Sequence, residues 1–469
     1  MKKWVVLFLN LAVVIWPGFV QGQWARTFGG KGNDEAACVQ QTPDGGFIVV
    51  GTAESFGKTN KNIWMFKLSA AGTILWQKYF GAEPESMEGG DNLGLFVQTT
   101  RDDGLIVTGE VAGYVRAGNQ DLIAIKLDAK GRSRWVTGVA DRDMGYHSFE
   151  NGQAVVQTSD GGYLFTGFRN IRSYGPNDAE PSSYKKRLNG KLFIFKTDSL
   201  GNGKWGGLFG GGNEIGRSIL ETPDGGFIVA GVTENYGAGA SDAWVLKFGT
   251  NRGNLEWHCA YGGADIDEAH EIRRTADGGY VVSGPTKSFG AGDYDIWILK
   301  ISGKGKILWQ KTYGGPKADY AHSVYPTADG GFIVAGSTAS FGSGDFDCWV
   351  LRLDGKGAII WQKAYGGTTY DGAFAVRPLK GGGFVVAGRT RSYGAGANDA
   401  LVMKLASNGK IDASCGLFVR DTNATVLKGR ATAAWAAGQG GCDSFQDWWP
   451  VGWSLLKDTN GANTVICKK

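Results

Sequence analysis

Histidine and cysteine are scarce in this chain: four and six among 469 residues. No His-x-x-x-His pair and no C-x-x-C-H run occurs, so zinc-protease and haem-attachment chemistry have no footing. A nucleophile elbow and a Walker loop are absent too. Net charge is small, with 49 Lys and Arg against 45 Asp and Glu. Two of the four excess positive charges are Lys2 and Lys3. A balance near neutrality argues against a nucleic-acid partner. Long apolar runs are missing after the first residues. Lys2 and Lys3, the run Trp4 to Trp16 and the small residue of Val20-Gln21-Gly22 together read as a signal peptide, residues 1–22. That run is short for a bilayer span. The expectation is a secreted or cell-surface protein beginning at Gln23, with no stable membrane span. Six cysteines in so long a chain do not make a disulfide framework. Cys38, Cys259 and Cys348 fall on expected strands and read as small buried thiols. Cys415, Cys442 and Cys467 lie near the C-terminus, where export permits one disulfide and leaves one thiol over.

Glycine, by contrast, is abundant, with 77 residues, and it sits at fixed places in a repeat. Seven tryptophans mark the period: Trp24, Trp76, Trp135, Trp205, Trp257, Trp309 and Trp361, spaced by 52, 59, 70, 52, 52 and 52 residues. Each copy follows W-x-x-x-[YF]-G-G with a small-residue strand, a D-G-G turn and an F-I-V-A-G strand. A Gly-rich loop and a D-x-W-V-L-K-L strand complete it. Asp44-Gly45-Gly46 and its counterparts suit tight hairpins, since glycine takes positive φ freely. The flanking runs are rich in Val, Ile, Phe and Trp. Four strands in about fifty residues is the arithmetic of a propeller blade. The expected fold is all-β: a seven-bladed β-propeller over 23–405, with a C-terminal extension over 406–469. The blades run approximately 35–80, 93–138, 151–209, 215–261, 268–313, 320–365 and 372–405. The last copy stops at its third strand, so the strand at 23–29 is expected to complete it and close the ring. Closure would leave few exposed edges.

Counted outward from the axis, the loops after the second and fourth strands share one face. That face carries all the irregularity: excess residues before blades 2 and 3, and thirteen more inside blade 3 around Phe168 to Lys191. Loop variation on a rigid scaffold is where function is usually placed. The innermost strands carry small residues at their third position and aliphatic ones at their sixth. Their fourth position varies freely: Ala37, Leu95, Gln153, Arg217, His270, His322 and Phe374. This position is expected near the channel mouth on the insertion face. The candidate binding residues are therefore His147, Arg169, Arg172, Tyr174, Arg217, His270 and His322. No catalytic residue stands out.

His270 and His322 could begin a metal site, but a third ligand is not evident. The recurring acids Asp34, Glu214, Asp267, Asp319 and Asp371, and the pairs Asp293/Asp295 and Asp345/Asp347, admit a calcium reading. An acid found in most blades fits turn capping better. The insertions supply Glu83, Glu85, Glu88, Asp91, Asp141, Asp143 and Glu150, beside Arg169, Arg172, Lys185, Lys186 and Arg187. A glycosidase needs two carboxylates across a sugar, and this set keeps that possibility open.

The segments 309–315 (W-Q-K-T-Y-G-G) and 329–336 (D-G-G-F-I-V-A-G) resemble a family of secreted bacterial and archaeal β-propeller proteins, over about 24–405. More distantly, Leu353 to Trp361, L-D-x-x-G-x-x-x-W, resembles the tryptophan-docking repeat of quinoprotein dehydrogenases. That likeness implies that each Trp packs between adjacent blades. Those dehydrogenases usually have eight blades, often with a vicinal disulfide and a calcium–quinone site. Here there are seven copies and no adjacent cysteines, so their activity is not carried over. The reading is a monomeric, non-catalytic binding or cell-surface propeller without a cofactor, its partner an extracellular protein or a glycan. A polysaccharide hydrolase is the alternative, ahead of a quinoprotein-like oxidoreductase.

Overall fold

The computed structural model describes residues 22–411, apart from 57–60, 82–90, 113–119, 140–146, 173–189 and 251–253. Beyond 411 it describes four short strands. Among the described residues every regular element is a β-strand. They form seven antiparallel sheets, each with four strands from the repeat. The innermost strands follow one another round a closed circle, from Asp34–Gln41 in blade 1 to Asp371–Pro378 in blade 7 and back to the first. The fold is a seven-bladed β-propeller.

The N-terminal strand Trp24–Phe28 pairs antiparallel with Asp399–Leu405, so it is the outermost strand of blade 7. A ring closed by main-chain bonds between its two ends opens only if that ladder breaks.

Adjacent blades are docked by the repeat's tryptophans. Trp24 Nε1 donates to the Ala70 carbonyl of blade 1 at 3.2 Å, and Trp361 Nε1 to Ser407 of blade 7 at 3.0 Å. Among the described residues six of the seven indoles, all but Trp205, lie over a turn glycine of the next blade. A Cβ on Gly72 would stand 2.9 Å from Trp24, and one on Gly357 3.0 Å from Trp309. These glycines have φ near +75° as well, so sterics and backbone both demand glycine. In blades 4, 5 and 6 a second staple is added. Tyr261, Tyr313 and Tyr365 donate their hydroxyls to the carbonyls of Gly305, Gly357 and Gly409 at 2.6–2.7 Å. Phe80, Val139, Phe209 and Phe28 take that place in blades 1, 2, 3 and 7 and cannot make this bond. The insertions therefore sit on the less firmly stapled half of the ring.

The D-G-G turns carry a repeated ionic lock. In blade 1 the Thr42 hydroxyl donates to Asp44 at 2.6 Å, the Gly46 amide donates to it at 3.1 Å, and Lys67 pairs with it at 2.7 Å. Lys126, Lys196, Lys247, Lys300 and Arg352 do the same in blades 2 to 6. Burial opposes ionisation of Asp44, but Lys67, Thr42 and Gly46 outweigh it and hold the carboxyl at about 2. Blade 7 has Gly381 at the aspartate position, and burial lowers Lys404 below the usual lysine range.

The extension beyond the repeat runs as a strap round the outside of the ring. Phe418–Asp421 pairs with the outermost strand of blade 6, Thr425–Leu427 with that of blade 5 and Thr432–Trp435 with that of blade 4. Phe418, Thr425 and Thr432 face Gly366, Gly314 and Gly262, the same repeat position in each blade. The strap thus advances seven residues per blade, against the chain direction of the ring. Seven extended residues reach roughly 23 Å, enough to step from one outer edge to the next. Val451–Gly452 reaches blade 2. The strap covers backbone edges that would otherwise be open to another chain.

Cys38, Cys259 and Cys348 are buried free thiols. The remaining cysteines lie outside the described residues.

Candidate functional site

The freely varying fourth position of the inner strand has a backbone cause. The pairing register of the inner strands skips one residue, between Ala36/Cys38, Gly94/Phe96, Gly152/Ala154, Gly216/Ser218, Ala321/Ser323 and Ala373/Ala375. The skipped residues are Ala37, Leu95, Gln153, Arg217, His322 and Phe374. Each is the extra residue of a β-bulge, left out of the ladder and re-aimed by the kink. Blade 5 departs for its own reason. Pro285 lacks an N–H and cannot return the bond that its carbonyl accepts from Glu268, so the regular inner strand starts only at Glu271.

The bulge residues of blades 4 to 7 meet. The imidazoles of His270 and His322 stack with centroids 5.6 Å apart at 18°. Phe374 stands edge-on to His322 at 5.3 Å. Glu268, one residue pair away, ties the group together. It pairs with Arg217 at 3.1 Å and lies 2.7 Å from His270 Nε2. Burial, with Arg217 beside it, pushes His270 below the usual imidazole range, and Glu268 only partly offsets this. Burial, His270, Arg217 and Arg389 push His322 down to about 3. Both rings are neutral at physiological pH, so His270 Nε2 carries its proton and donates it to the Glu268 carboxylate. A second arginine, Arg389, pairs with Glu35 at 3.2 Å and lies over both Phe374 and Tyr370.

On the same face, four aromatic rings adjoin this mouth. Tyr294, Tyr320, Phe346 and Tyr370 follow one another at 5.1, 5.9 and 5.4 Å across blades 5, 6 and 7. They recur at half the repeat length, 26, 26 and 24 residues apart, a spacing hidden within the period of the tryptophans.

Deeper in the channel, Glu271 is buried among Arg273, Arg377, Ser323 and the Val324 amide. Burial opposes its ionisation, but the two arginines win and hold the carboxyl below its usual range. Tyr325 lies between both guanidiniums, at 5.2 and 5.3 Å. The network locks blades 5, 6 and 7 at the axis.

The other sequence candidates are placed differently. Arg169 is not a surface residue: it is 2% exposed and paired at 3.1 Å with Glu150, equally buried. Its charge is met inside the protein rather than at the channel mouth. The pair borders a small apolar cavity at Gly206 and Gly207, where the outer strand lacks side chains. His147 and Arg172 face each other in the backbone register of one blade 3 hairpin, with side chains outside the described set. Tyr174 and the charged insertion residues, Glu83 to Glu88, Asp141, Asp143 and Lys185 to Arg187, lie outside the described residues. The remaining histidine, His258, is interior and accepts a bond from Trp244 Nε1 at 3.1 Å.

The recurring acids face hydrogen-bond donors. Asp267 accepts from the Gly263 amide at 2.7 Å and the Ser288 hydroxyl at 2.6 Å, and Asp319 and Asp371 repeat this. Oxygens turned toward N–H and O–H groups cap turns and are poorly placed for a cation. Among the described residues no group of three or more His, Cys, Asp or Glu could hold a metal ion.

No known protein family matches the sequence, and no curated protein matches it significantly. Solved structures similar in fold are distant. A protein of unknown function from Bacteroides caccae is 12% identical, with a TM-score of 0.37, over 67% of this chain and 92% of its own. The quinohemoprotein alcohol dehydrogenase of Comamonas testosteroni is 12% identical, with a TM-score of 0.46, over 83% and 77%. The Pan2 WD40 domain of Neurospora crassa is 11% identical, with a TM-score of 0.44, over 81% and 90%.

Proposed function

We propose that this chain is an exported, non-catalytic binding propeller whose ligand sits at the channel mouth on the insertion face. The observation that carries the reading is the Arg217–Glu268–His270–His322 cluster. It gathers four polar side chains from three blades: Arg217, His270 and His322 at the freely varying fourth position of the inner strand, and Glu268 two residues before His270. Its chemistry favours holding over reacting. Both imidazoles are neutral, His322 far too weak a base for work at pH 7. Glu268 and Glu35, the carboxylates at the mouth, are each held by an arginine. The blade 2 and 3 insertions rise from the same face in strand order and would frame the ligand.

The test is a screen of the mature protein against glycans, extracellular proteins and divalent metals. The combined change Arg217→Ala, His270→Ala and His322→Ala follows. Loss of the bound partner with an unchanged melting temperature is the expected result. Undiminished binding would remove the mouth from consideration. Export has its own check: intact mass of secreted material should start at Gln23, and a retained Met1 would sink that part.

A further inference from the structure

The rings beside the mouth narrow the class of ligand, provided the binding reading above holds. Tyr294, Tyr320, Phe346 and Tyr370 form a continuous aromatic ribbon, each ring tilted by 34–47° to the next. Tyr294 and Phe346 come from loops between second and third strands, while Tyr320 opens the inner strand of blade 6. All four are half-buried, leaving part of each ring to solvent. The ribbon joins the mouth through Arg389, whose guanidinium lies 4.5 Å from the Tyr370 centroid and 5.5 Å from Phe374.

Two features distinguish this surface from a patch awaiting a hydrophobic protein. First, the hydroxyls of Tyr294, Tyr320 and Tyr370 have no hydrogen-bond partner among the described residues, so three donor–acceptor groups rim the rings. Second, the cations that touch the rings are paired off: Lys287, over Tyr294, with Asp293 at 3.3 Å, and Arg389, over Tyr370, with Glu35 at 3.2 Å. Asp265 adds a further negative charge beside Tyr294, so the field gives an anionic ligand no advantage. Half-buried aromatic rings at near-regular spacing, edged by hydroxyls and without a positive field to hold an anion, suit a chain of rings that is apolar on its faces and hydroxylated at its edges. We infer that the Tyr294–Tyr320–Phe346–Tyr370 ribbon binds an uncharged glycan chain, with consecutive sugar rings stacked along it and its end directed to the His270–His322 mouth.

The probes are hexasaccharides of β-1,4-linked glucose, mannose and xylose, an acidic hexuronan, and an aromatic-rich peptide library, titrated calorimetrically against the full mature protein. At least one neutral hexasaccharide should bind, more tightly than its disaccharide and with little change between low and high salt. Tyr320→Ala and Phe346→Ala should each weaken it about five- to tenfold. Tyr320→Phe and Tyr370→Phe keep the rings and should cost about two- to fivefold, which guards against a misfolded alanine variant. Neutral-sugar binding lost in the triple mouth variant but kept in all ribbon variants overturns the ribbon and leaves the mouth reading standing. Preference for the hexuronan with steep salt dependence, or for aromatic peptides, overturns the ligand class alone. Binding that survives both sets of variants overturns the ribbon and the mouth together.

Discussion

Replacing Trp24 by alanine tests ring closure at its seam. The indole is 7% exposed, stands edge-on to Phe47 of blade 1 at 5.8 Å, bonds the Ala70 carbonyl and covers Gly72. Its strand comes from one end of the repeat and its contacts from the first and last blades, so the side chain bridges the two. Truncating a large buried aromatic costs about 3–5 kcal/mol, of which the ring pair supplies roughly 0.5–1.5 kcal/mol. Unfolding entropy near 2.1 cal/mol/K per residue means that a propeller of this size loses only about 1.2 °C per kcal/mol, so melting should fall by about 4–6 °C. Scanning calorimetry and guanidinium titration both read this. Trp76→Ala, whose indole covers Gly131 inside the ring, is the reference and should cost a similar amount. If Trp24→Ala melts within about 1 °C of the parent while Trp76→Ala does not, the seam carries no load and the closure argument fails. A chain starting after Gly30 removes the whole strand, opens the edge at Asp399–Leu405 and should aggregate.

Stability should be lost at the acid end. Asp44, Asp102, Asp160, Asp224 and Asp277 sit at about 2 when folded. Their contribution is complete above an unfolded value of about 4 and is lost as pH falls toward 2. Burial raises Asp295 to about 6, with Asp319 adding, and raises Glu110 and Asp121 to about 7. The folded state keeps those protons longer, so stability falls as pH rises from about 4 toward 7. Burial holds His258, His270 and His322 below the usual imidazole range, and their contribution runs the other way, rising as pH climbs toward about 6.5. Melting temperature should therefore climb steeply between about pH 2 and 4 as the five turn aspartates ionise and depend on pH more weakly above; a flat acid limb would contradict this. Arg217→Ala removes a positive charge and leaves Glu268, so the His270 titration in NMR should move upward; no movement would mean that the cluster is not assembled in solution. Ending the chain at Lys410 uncovers the outer edges of blades 4, 5 and 6, and light scattering should show self-association; a stable monomer would deny the strap that role. Asp103 alone among the equivalent turn residues holds positive φ without being glycine, at 57°. Asp103→Gly should stabilise by up to about 1 kcal/mol, and a destabilised variant would refute the strain.

What the residues of each copy determine by themselves is local. A hairpin at Asp44-Gly45-Gly46 needs only a residue free to take positive φ, and a strand at Phe332–Thr338 needs only its apolar side chains. Repetition then forces a ring, because each blade offers its neighbour the same indole and the same glycine. The missing last strand of blade 7 and the spare first strand were likewise legible, being a count. The site was legible only in outline. Variation at the bulge position marked Arg217, His270 and His322, but not Glu268, which sits at an ordinary strand position. Arg169 and Arg217 look alike in sequence, and only packing buries the first against Glu150 and turns the second to the channel. The aromatic ribbon and the strap are decided by tertiary structure. Tyr294, Tyr320, Phe346 and Tyr370 touch because ring closure brings the half-repeats of three blades onto one face. Phe418 to Trp435 carries no copy of the repeat, and its strands take shape against outer edges that exist only once the blades have assembled.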